Sequence, residues 1–257
     1  MSVIGDFGLQ DQVVVVTGAG KGIGRGIALD AARSGATVVG CSRTQSDLDE
    51  VMAEIEEIGT PAGSVVADLS TQDGIREMYD FTLKKFSRLD AVVNNAGVNR
   101  LRNAIDYDES EVDELFAINL KAVYWSCIRA ARIMIDAGTA GSIVNITSQA
   151  AVTAAPGRSP YSAAKAGVNH LSRSLAAEWA PHGIRVNALA PTVTATPLGI
   201  RAMEERPELA ADVKKRAVLR GRAATVEEIS RPTIFLLSPA ASLITGQTLV
   251  VDGGWTL

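Results

Sequence analysis

Short apolar runs alternate along the chain with longer segments in which apolar residues recur every three or four positions. Because the runs have the length of strands buried on both faces, they predict strands rather than helices. The predicted strands are 12–17, 36–42, 64–67, 89–94, 141–148, 184–190 and 247–251. The segments with helical spacing are 23–34, 46–58, 71–86, 109–137, 161–180 and 226–237. This alternation predicts an α/β fold, a doubly wound sheet of seven parallel strands with helices on both faces.

Composition is consistent with one globular unit. The 257 residues are 47% hydrophobic and 21% charged, and α/β chains of this length commonly form one domain with a large core, so a single domain is predicted over 1–257. Segment 196–223 is more charged and lacks strand character. We interpret it as a lid over the substrate, which would exclude water from the reacting groups, with an ordinary pair of surface helices as the alternative.

A glycine-rich segment, T-G-A-G-K-G-I-G at 17–24, connects the first strand to the first helix. Glycines let the backbone approach a pyrophosphate closely, and the helix N-terminus directs its amides at the negative charge. The segment fits neither G-x-x-x-x-G-K-[ST] nor G-x-G-x-x-G, but it does fit T-G-x-x-x-G-x-G. We therefore expect a Rossmann-type dinucleotide site here; the alternative is a glycine-rich turn without a ligand.

Tyr161 and Lys165 are spaced to lie on one face of a helix. The lysine charge should lower the pKa of the phenol, and so should the helix N-terminus that Ser159 as N-cap and Pro160 at the first helical position predict. A phenol shifted in this way could act as general acid toward a carbonyl oxygen. Ser148, at the carboxyl end of the fifth strand, could hold the same oxygen, although such a serine is more often a turn residue.

The cofactor can be predicted from charge at the end of the second strand. NAD-binding folds usually place a carboxylate there for the ribose 2′-hydroxyl, whereas an arginine accommodates a 2′-phosphate. This chain has Ser42 and Arg43 at that end, and Lys21 in the glycine segment adds a cation. NADP(H) is therefore expected, and NAD(H) less so; the alternative is that Arg43 and Lys21 are ordinary solvated charges.

With these motifs together, the whole chain resembles the compact, single-domain branch of the short-chain dehydrogenases/reductases. The matching pieces are 17–24, Asp68, Leu69, 94–97, Asn119, Ser148, Tyr161, Lys165, Pro191 and Thr196. The segments 41–45 and 148–149, with Pro191-Thr192, look like those of the L-xylulose or dicarbonyl reductase group. Thr192 departs from the family, which usually has glycine there, and it makes the backbone less permissive.

The resemblance implies a role for each matching residue. Tyr161 would be the acid/base, Ser148 would orient the substrate oxygen, and Lys165 would bind the nicotinamide ribose and lower the tyrosine pKa. Asn119 would hold a water that links Lys165 to bulk solvent. It also implies a homotetramer, built partly on the helices that contain 122–131 and 163–176.

The remaining implied roles belong to the nucleotide. Asp68 and Leu69 would lie beside the adenine, and Asn95 would brace the central strand. The full set expected to bind the cofactor is Gly18, Gly20, Lys21, Gly22, Ile23, Gly24, Ser42, Arg43, Asp68, Leu69, Asn95, Ala96, Gly97, Tyr161, Lys165, Pro191, Thr194 and Thr196.

Several classes of function are not expected. Two cysteines and two histidines without ligand spacing predict no metal site, and a net charge of −4 with dispersed cations predicts no nucleic-acid binding. No apolar span of membrane length and no signal-peptide pattern is present, so a cytoplasmic protein without membrane contact is the expectation.

The predicted activity is reversible hydride transfer between NADP(H) and a small carbonyl compound or its secondary alcohol. A 3-oxoacyl-thioester reductase would use the same groups. A non-catalytic nucleotide-sensing regulator, or an epimerase or dehydratase that keeps its cofactor, are further alternatives. Gln149, Ala155, Arg158 and the 196–223 segment are the candidate substrate contacts.

Overall fold

The computed structural model of the protein describes residues 5–257. One parallel sheet extends through this part of the chain in the order β3-β2-β1-β4-β5-β6-β7. Its strands are β1 (Val13–Thr17), β2 (Thr37–Ser42), β3 (Ala62–Val66), β4 (Ala91–Asn94), β5 (Ser142–Ile146), β6 (Arg185–Pro191) and β7 (Thr248–Val251). The predicted seven-stranded parallel sheet is confirmed.

Helices cover both faces of the sheet. They are α1 (Gly22–Arg33), α2 (Gln45–Ile58), α3 (Gln72–Phe86), α4 (Glu109–Phe116), α5 (Ala122–Asp136), α6 (Ser159–Trp179), α7 (Pro197–Glu204), α8 (Pro207–Arg216) and α9 (Glu227–Leu237). Because side chains alternate along a strand, Val13 and Val15 pack in the core with α3, α5 and α6, whereas Val14 and Val16 pack with α1, α2 and α9. The four valines of β1 therefore fill two cores, one on each face of the sheet.

The single helix predicted over 109–137 is wrong. The chain forms α4 and α5 with a π-helical segment, Ala117–Lys121, between them. Apolar spacing continues through all three pieces, so periodicity alone did not reveal the change in hydrogen bonding. π-Helical turns within α-helices occur frequently at functional sites, and this one contains Asn119.

The charged segment 196–223 contains α7 and α8, separated where Arg206 precedes Pro207. Proline restricts the residue before it to extended conformations, which explains the break. Val213 of α8 packs with Ala223 and Trp255 in a small third cluster, apart from the two cores of the sheet.

Residues 5–257 contain neither a membrane-spanning helix nor a cluster of metal-ligating side chains. No helix in this range is long and apolar enough to cross a membrane. Within the same residues, no group of three or more histidine, cysteine, aspartate or glutamate side chains could hold a metal ion.

Candidate active site

The glycine turn between β1 and α1 is too tightly packed for side chains. Gly18 and Gly22 have φ values of +65° and +57°, which favour glycine. A Cβ on Gly24 would lie 2.1 Å from the Gly18 carbonyl oxygen. Because α1 begins at Gly22, the turn leads directly into the amides of a helix N-terminus, as a pyrophosphate site requires.

Asn95 and Thr17 hold this turn in place. The Asn95 Nδ2 donates to the carbonyl oxygens of Thr17 at 3.0 Å and Gly18 at 3.3 Å. The Thr17 hydroxyl oxygen accepts from the backbone N–H groups of Asn95 at 2.9 Å and Ala96 at 3.0 Å. Asn95, the residue after β4, therefore braces the turn after β1.

Tyr161 and Lys165 lie in the first two turns of α6, at the end of the sheet where β5 terminates. The Lys165 Nζ is 5.9 Å from the centroid of the Tyr161 ring. This ammonium is 3% exposed and donates to the Ile146 carbonyl oxygen at 2.9 Å. The predicted cap is wrong in detail: Arg158 precedes the helix, no side chain caps it, and Ser159 is its first residue.

The electrostatics of Tyr161 differ from the prediction. Burial raises the pKa of the phenol, because desolvation penalises the phenolate, while hydrogen bonding to Ser148 and the charge of Arg158 lower it. Burial also lowers the pKa of Lys165 to about 8. The expected net lowering of the tyrosine pKa by Lys165 is therefore not found in the protein, and the cation that acts on the phenol is Arg158.

Asn119 is fully buried beside Lys165. Its Nδ2 donates to the carbonyl oxygens of Val98 and Leu115, both at 2.9 Å, and its Oδ1 has no hydrogen-bond partner within residues 5–257. A Cβ on Gly97 would lie 2.6 Å from this Oδ1 and 3.5 Å from the Lys165 Nζ. The π-helical segment thus directs an unpaired acceptor toward the lysine, across the backbone of Gly97.

Ser148 follows β5 and lies in the same crevice. Its hydroxyl is buried, donates to the Gln149 Oε1 at 3.3 Å and accepts from the Ala150 N–H at 3.1 Å. Ser148 also lowers the pKa of the Tyr161 phenol, so the two hydroxyl groups lie near each other. Such a pair can bind and protonate a single carbonyl oxygen.

Ser42, the last residue of β2, lies beside the glycine turn, and the exposed Arg43 follows it. The Ser42 Oγ lies 3.3 Å from where a Cβ on Gly20 would be. Hydrogen bonds from the backbone N–H and hydroxyl of Ser70 lower the pKa of Asp68, and the charge of Arg43 lowers it slightly further. Asp68 is therefore within range of the Arg43 charge, and the neighbouring Leu69 is buried.

Lys21, the second cation predicted for the nucleotide site, is 73% exposed and has an acidic partner. Its Nζ forms an ion pair with the Asp47 Oδ1 at 3.0 Å. Asp47 is on the first turn of α2, five residues beyond the end of β2, and its Cβ lies 2.7 Å from where a Cβ on Gly20 would be. A carboxylate thus does reach this region, although from the helix rather than from the strand end.

The segment after β6 also contacts the glycine turn. Pro191 ends the strand, and Thr194 donates its hydroxyl to the Thr192 carbonyl oxygen at 3.0 Å. Thr196 caps α7, accepting from Gly199 N–H at 3.1 Å. Its Cγ2 lies 3.1 Å from where a Cβ on Gly22 would be, so the two predicted cofactor segments meet.

Thr192 replaces the usual glycine without strain. Within residues 5–257, the non-glycine residues with positive φ are Asp11 and Ser87, so the backbone of Thr192 is in an ordinary conformation. The expected loss of permissiveness therefore has no structural consequence at this position.

Known proteins share these features over nearly the whole chain. A family profile described as enoyl-(acyl carrier protein) reductase matches residues 18–256. L-xylulose reductase of Mesocricetus auratus is 38% identical over 250 residues, covering 97% of this chain and 98% of the relative. The chain belongs to the short-chain dehydrogenase/reductase family. It is accordingly an NAD(P)-dependent oxidoreductase, and the expected resemblance is confirmed.

Other members of the short-chain dehydrogenase/reductase family differ in substrate and nucleotide. The NAD-dependent glycerol dehydrogenase of Listeria innocua is 38% identical over 252 residues, covering 98% of this chain and 96% of the relative. The structure of a gluconate 5-dehydrogenase from Burkholderia cenocepacia, in complex with NADP and tartrate, has a TM-score of 0.93 and 32% identity, covering 99% of each chain. Similarity therefore supports action on alcohols and ketones, and leaves substrate and nucleotide preference open.

Two residues at the site of this dehydrogenase/reductase were not singled out from the sequence. Asp47 belongs to no motif. Its position on a helix near a strand end does not show from the sequence whether its side chain faces the glycine turn. Arg206 falls inside the predicted lid, but nothing in the sequence distinguishes it from the other charges there. The packing of α2 brings Asp47 against the glycine turn, and the charge of Arg206 acts on Arg158, which precedes α6.

Proposed function

We propose that this short-chain dehydrogenase/reductase transfers a hydride between NADP(H) and a small carbonyl compound or its secondary alcohol. The observation that carries the proposal is the convergence of Ser148, Tyr161, Lys165 and Asn119 at the carboxyl edge of the sheet. The nicotinamide, when bound, would supply the hydride to the carbonyl carbon. The residues that would hold the nucleotide are those of the glycine turn, Asn95 and Thr196, whose close packing leaves backbone amides as the donors.

Each polar group then has one task during reduction. The Ser148 hydroxyl holds the carbonyl oxygen, and Tyr161 donates its proton to that oxygen as negative charge develops. The phenol of Tyr161 is protonated at neutral pH, as an ordinary phenol is, and the charge of Arg158, which lowers its pKa against the effect of burial, favours release of the proton. Lys165 binds the nicotinamide ribose, and the unpaired Oδ1 of Asn119 supports a water-mediated path that returns a proton to this group.

Preference for NADP(H) rests on Arg43. Its side chain is exposed and forms no ion pair within residues 5–257, so it is available to a 2′-phosphate. Ser42 adds a hydroxyl on the same side, whereas the charge of Lys21 is already balanced by Asp47. Catalytic efficiency with NADPH and NADH, compared in the protein and in Arg43→Ala, tests this preference; a preference for NADH in the unmodified protein would contradict it.

Tyr161→Phe tests the catalytic role. Turnover should fall by about 10² to 10⁴, the usual contribution of a general acid, while NADPH binding measured by fluorescence is retained. Tyr124→Phe, on the exposed side of α5, is the matched control and should keep normal turnover. Near-normal turnover in Tyr161→Phe would reject the proposal.

A 3-oxoacyl-thioester reductase is the second candidate, because a 3-oxoacyl-(acyl-carrier-protein) reductase of Thermotoga maritima is 34% identical to this chain over 246 residues. Turnover of acetoacetyl thioesters, compared with that of sugars, polyols and diketones, separates the two. Retention of all four polar groups favours either enzyme over a nucleotide-sensing regulator, which needs no acid/base group.

The segment 196–223 is the proposed lid over the substrate. As a lid, α7 and α8 would order over the crevice when nucleotide binds, and unchanged proteolysis across 196–223 with and without NADP would argue against this.

A homotetramer would bury Trp125, which is 42% exposed on α5. A monomeric mass by light scattering would remove the tetramer from the proposal.

A further inference from the structure

A fully buried hydrogen bond joins α6 to β5 two helical turns beyond Lys165. The Asn145 Nδ2 donates to the Ser172 Oγ at 3.0 Å, and neither residue is exposed to solvent. The Ser172 hydroxyl donates in turn to the Val168 carbonyl oxygen at 2.8 Å. Because residues seven positions apart lie on one face of a helix, Ser172 and Lys165 face the same side of α6. The helix therefore has two polar attachments on that side.

The two attachments reach adjacent residues of β5. Lys165 donates to the carbonyl oxygen of Ile146 at 2.9 Å. Ser172 accepts from the side chain of Asn145, the residue before Ile146. Ser148 follows Ile146 by two residues in the chain. The position of α6 along this strand therefore sets how the ammonium of Lys165 lies relative to Ser148.

The Asn145 end of this hydrogen bond is itself held by a buried chain of polar groups. The Asn145 Oδ1 accepts from the Asn94 Nδ2 at 2.8 Å, and the Asn94 Oδ1 accepts from the Ser126 hydroxyl at 2.6 Å. The hydroxyl oxygens of Ser126 and Tyr79 are 2.8 Å apart. All of these residues are buried. The chain spans β5, β4, α5 and α3, so Ser172 attaches α6 to elements that are already joined to one another.

Two other fully buried hydroxyls show what is particular to Ser172. Thr82 on α3 and Thr233 on α9 each donate to the carbonyl oxygen four residues earlier, at 2.8 and 2.9 Å. Within residues 5–257, neither of them forms a second hydrogen bond, whereas Ser172 also accepts from a strand side chain. A shift of α6 would leave the Asn145 donor unpaired in the core, which is costly, while apolar contacts have no preferred direction and tolerate a shift.

We infer that Ser172 is a positioning residue: its hydrogen bond to Asn145 fixes α6 along β5 and so places Lys165 for contact with the nucleotide. Within the described part of the chain, the Lys165 ammonium uses one of its three donors, toward Ile146, so two remain for the ribose. This role rests on the proposed function, because it requires that Lys165 binds the nicotinamide ribose. Ser172 acts through that lysine, since it lies two helical turns, about 11 Å, further along α6.

The test is NADPH affinity, measured by fluorescence titration in Ser172→Ala, Lys165→Met and the double variant. Lys165→Met should weaken binding by about 10-fold to 100-fold, the usual effect of losing a charge-assisted hydrogen bond. Ser172→Ala should weaken it by about 3-fold to 10-fold, because Lys165 is displaced but retained. In the double variant, Ser172→Ala should add nothing to the loss caused by Lys165→Met.

Thr82→Val is the matched control, because it removes a buried hydroxyl that bonds its own helix in the same way, and it should leave NADPH affinity unchanged. Ser172→Thr keeps the hydroxyl and should bind NADPH as the unmodified protein does. Circular dichroism checks that each variant folds. Ser172→Cys, whose thiol is a weak acceptor, should show a smaller loss, and it carries the test if Ser172→Ala does not fold.

Normal NADPH affinity in Ser172→Ala would overturn the inference. An equal further loss when Ser172→Ala is added to Lys165→Met would do the same, because a purely structural defect acts in either background. Normal affinity in Lys165→Met would remove the ribose contact from the proposed function, and the inference would fall with it. The measurement needs no turnover, so an absence of activity with every carbonyl tested would count against the proposed function and still leave the role of Ser172 decided.

Discussion

Replacing Lys165 by methionine should stabilise the protein while abolishing its activity. The ammonium is 3% exposed, and burial lowers its pKa from the ordinary value of 10.5 to about 8. Keeping this group charged inside the folded protein at pH 7 therefore costs about 3 kcal/mol relative to the unfolded chain. Methionine has a similar shape and carries no charge, so Lys165→Met removes this cost.

The stabilisation expected from Lys165→Met is smaller than the full cost of keeping the ammonium charged in the folded protein. The Ile146 carbonyl oxygen accepts from Lys165 at 2.9 Å and loses this partner in the variant, a penalty of about 1 to 2 kcal/mol. A net stabilisation of about 1 to 2 kcal/mol remains. For a protein of this size it should raise the melting temperature at pH 7 by about 2 to 8 °C.

The pH dependence gives the sharper test. Between pH 8 and 10.5 the unfolded chain retains the Lys165 proton that the folded protein has lost, so the stability of the unmodified protein rises with pH across this window. The variant lacks this contribution. The difference between the two melting temperatures should therefore be largest at pH 7 and shrink by pH 9.5.

The assay is thermal unfolding of both proteins without nucleotide, at pH 7, 8, 9 and 9.5, followed by circular dichroism. Lys84→Met, an exposed lysine on α3, is the matched control and should melt within about 1 °C of the unmodified protein. A melting temperature of Lys165→Met below that of the unmodified protein at pH 7, or a difference independent of pH, would refute the argument. Activity should be lost in either case.

Three further changes test the nucleotide site and the core. Asp47→Asn frees the charge of Lys21, so kcat/KM with NADPH should rise by about 2-fold to 10-fold relative to NADH; an unchanged ratio would mean that Lys21 does not reach the 2′-phosphate. Gly24→Ala places a methyl group 2.1 Å from the Gly18 carbonyl oxygen, so NADPH affinity by fluorescence titration should fall at least about 10-fold with a stability loss of about 1 to 3 kcal/mol, and normal affinity would contradict the packing. Asn94→Ala leaves its buried hydrogen-bond partners unpaired, so urea unfolding should show a loss of about 2 to 3 kcal/mol and not a neutral change.

Those parts of the candidate site that are formed by residues close in sequence could be predicted. The glycine spacing at 17–24 specifies a tight turn, and the interval from Tyr161 to Lys165 places both on one helical face. Asn119 was expected from resemblance alone, because a π-helical turn and a continuous α-helix share nearly the same apolar spacing. The pKa of Tyr161 was predicted with the wrong sign, since burial depends on the surrounding elements and not on the neighbouring lysine alone.

The sequence by itself determined the sheet, most of its helices and the placement of Tyr161 and Lys165 on one helix, because side-chain periodicity and local backbone conformation depend on residues within a few positions of each other. Only the tertiary structure decided which charges balance one another. Lys21 pairs with Asp47 because α2 lies beside the glycine turn, whereas Arg43, at the end of β2, forms no ion pair within residues 5–257. Electrostatic energies fall steeply with distance and with exposure to water, and neither quantity can be read from positions along the chain.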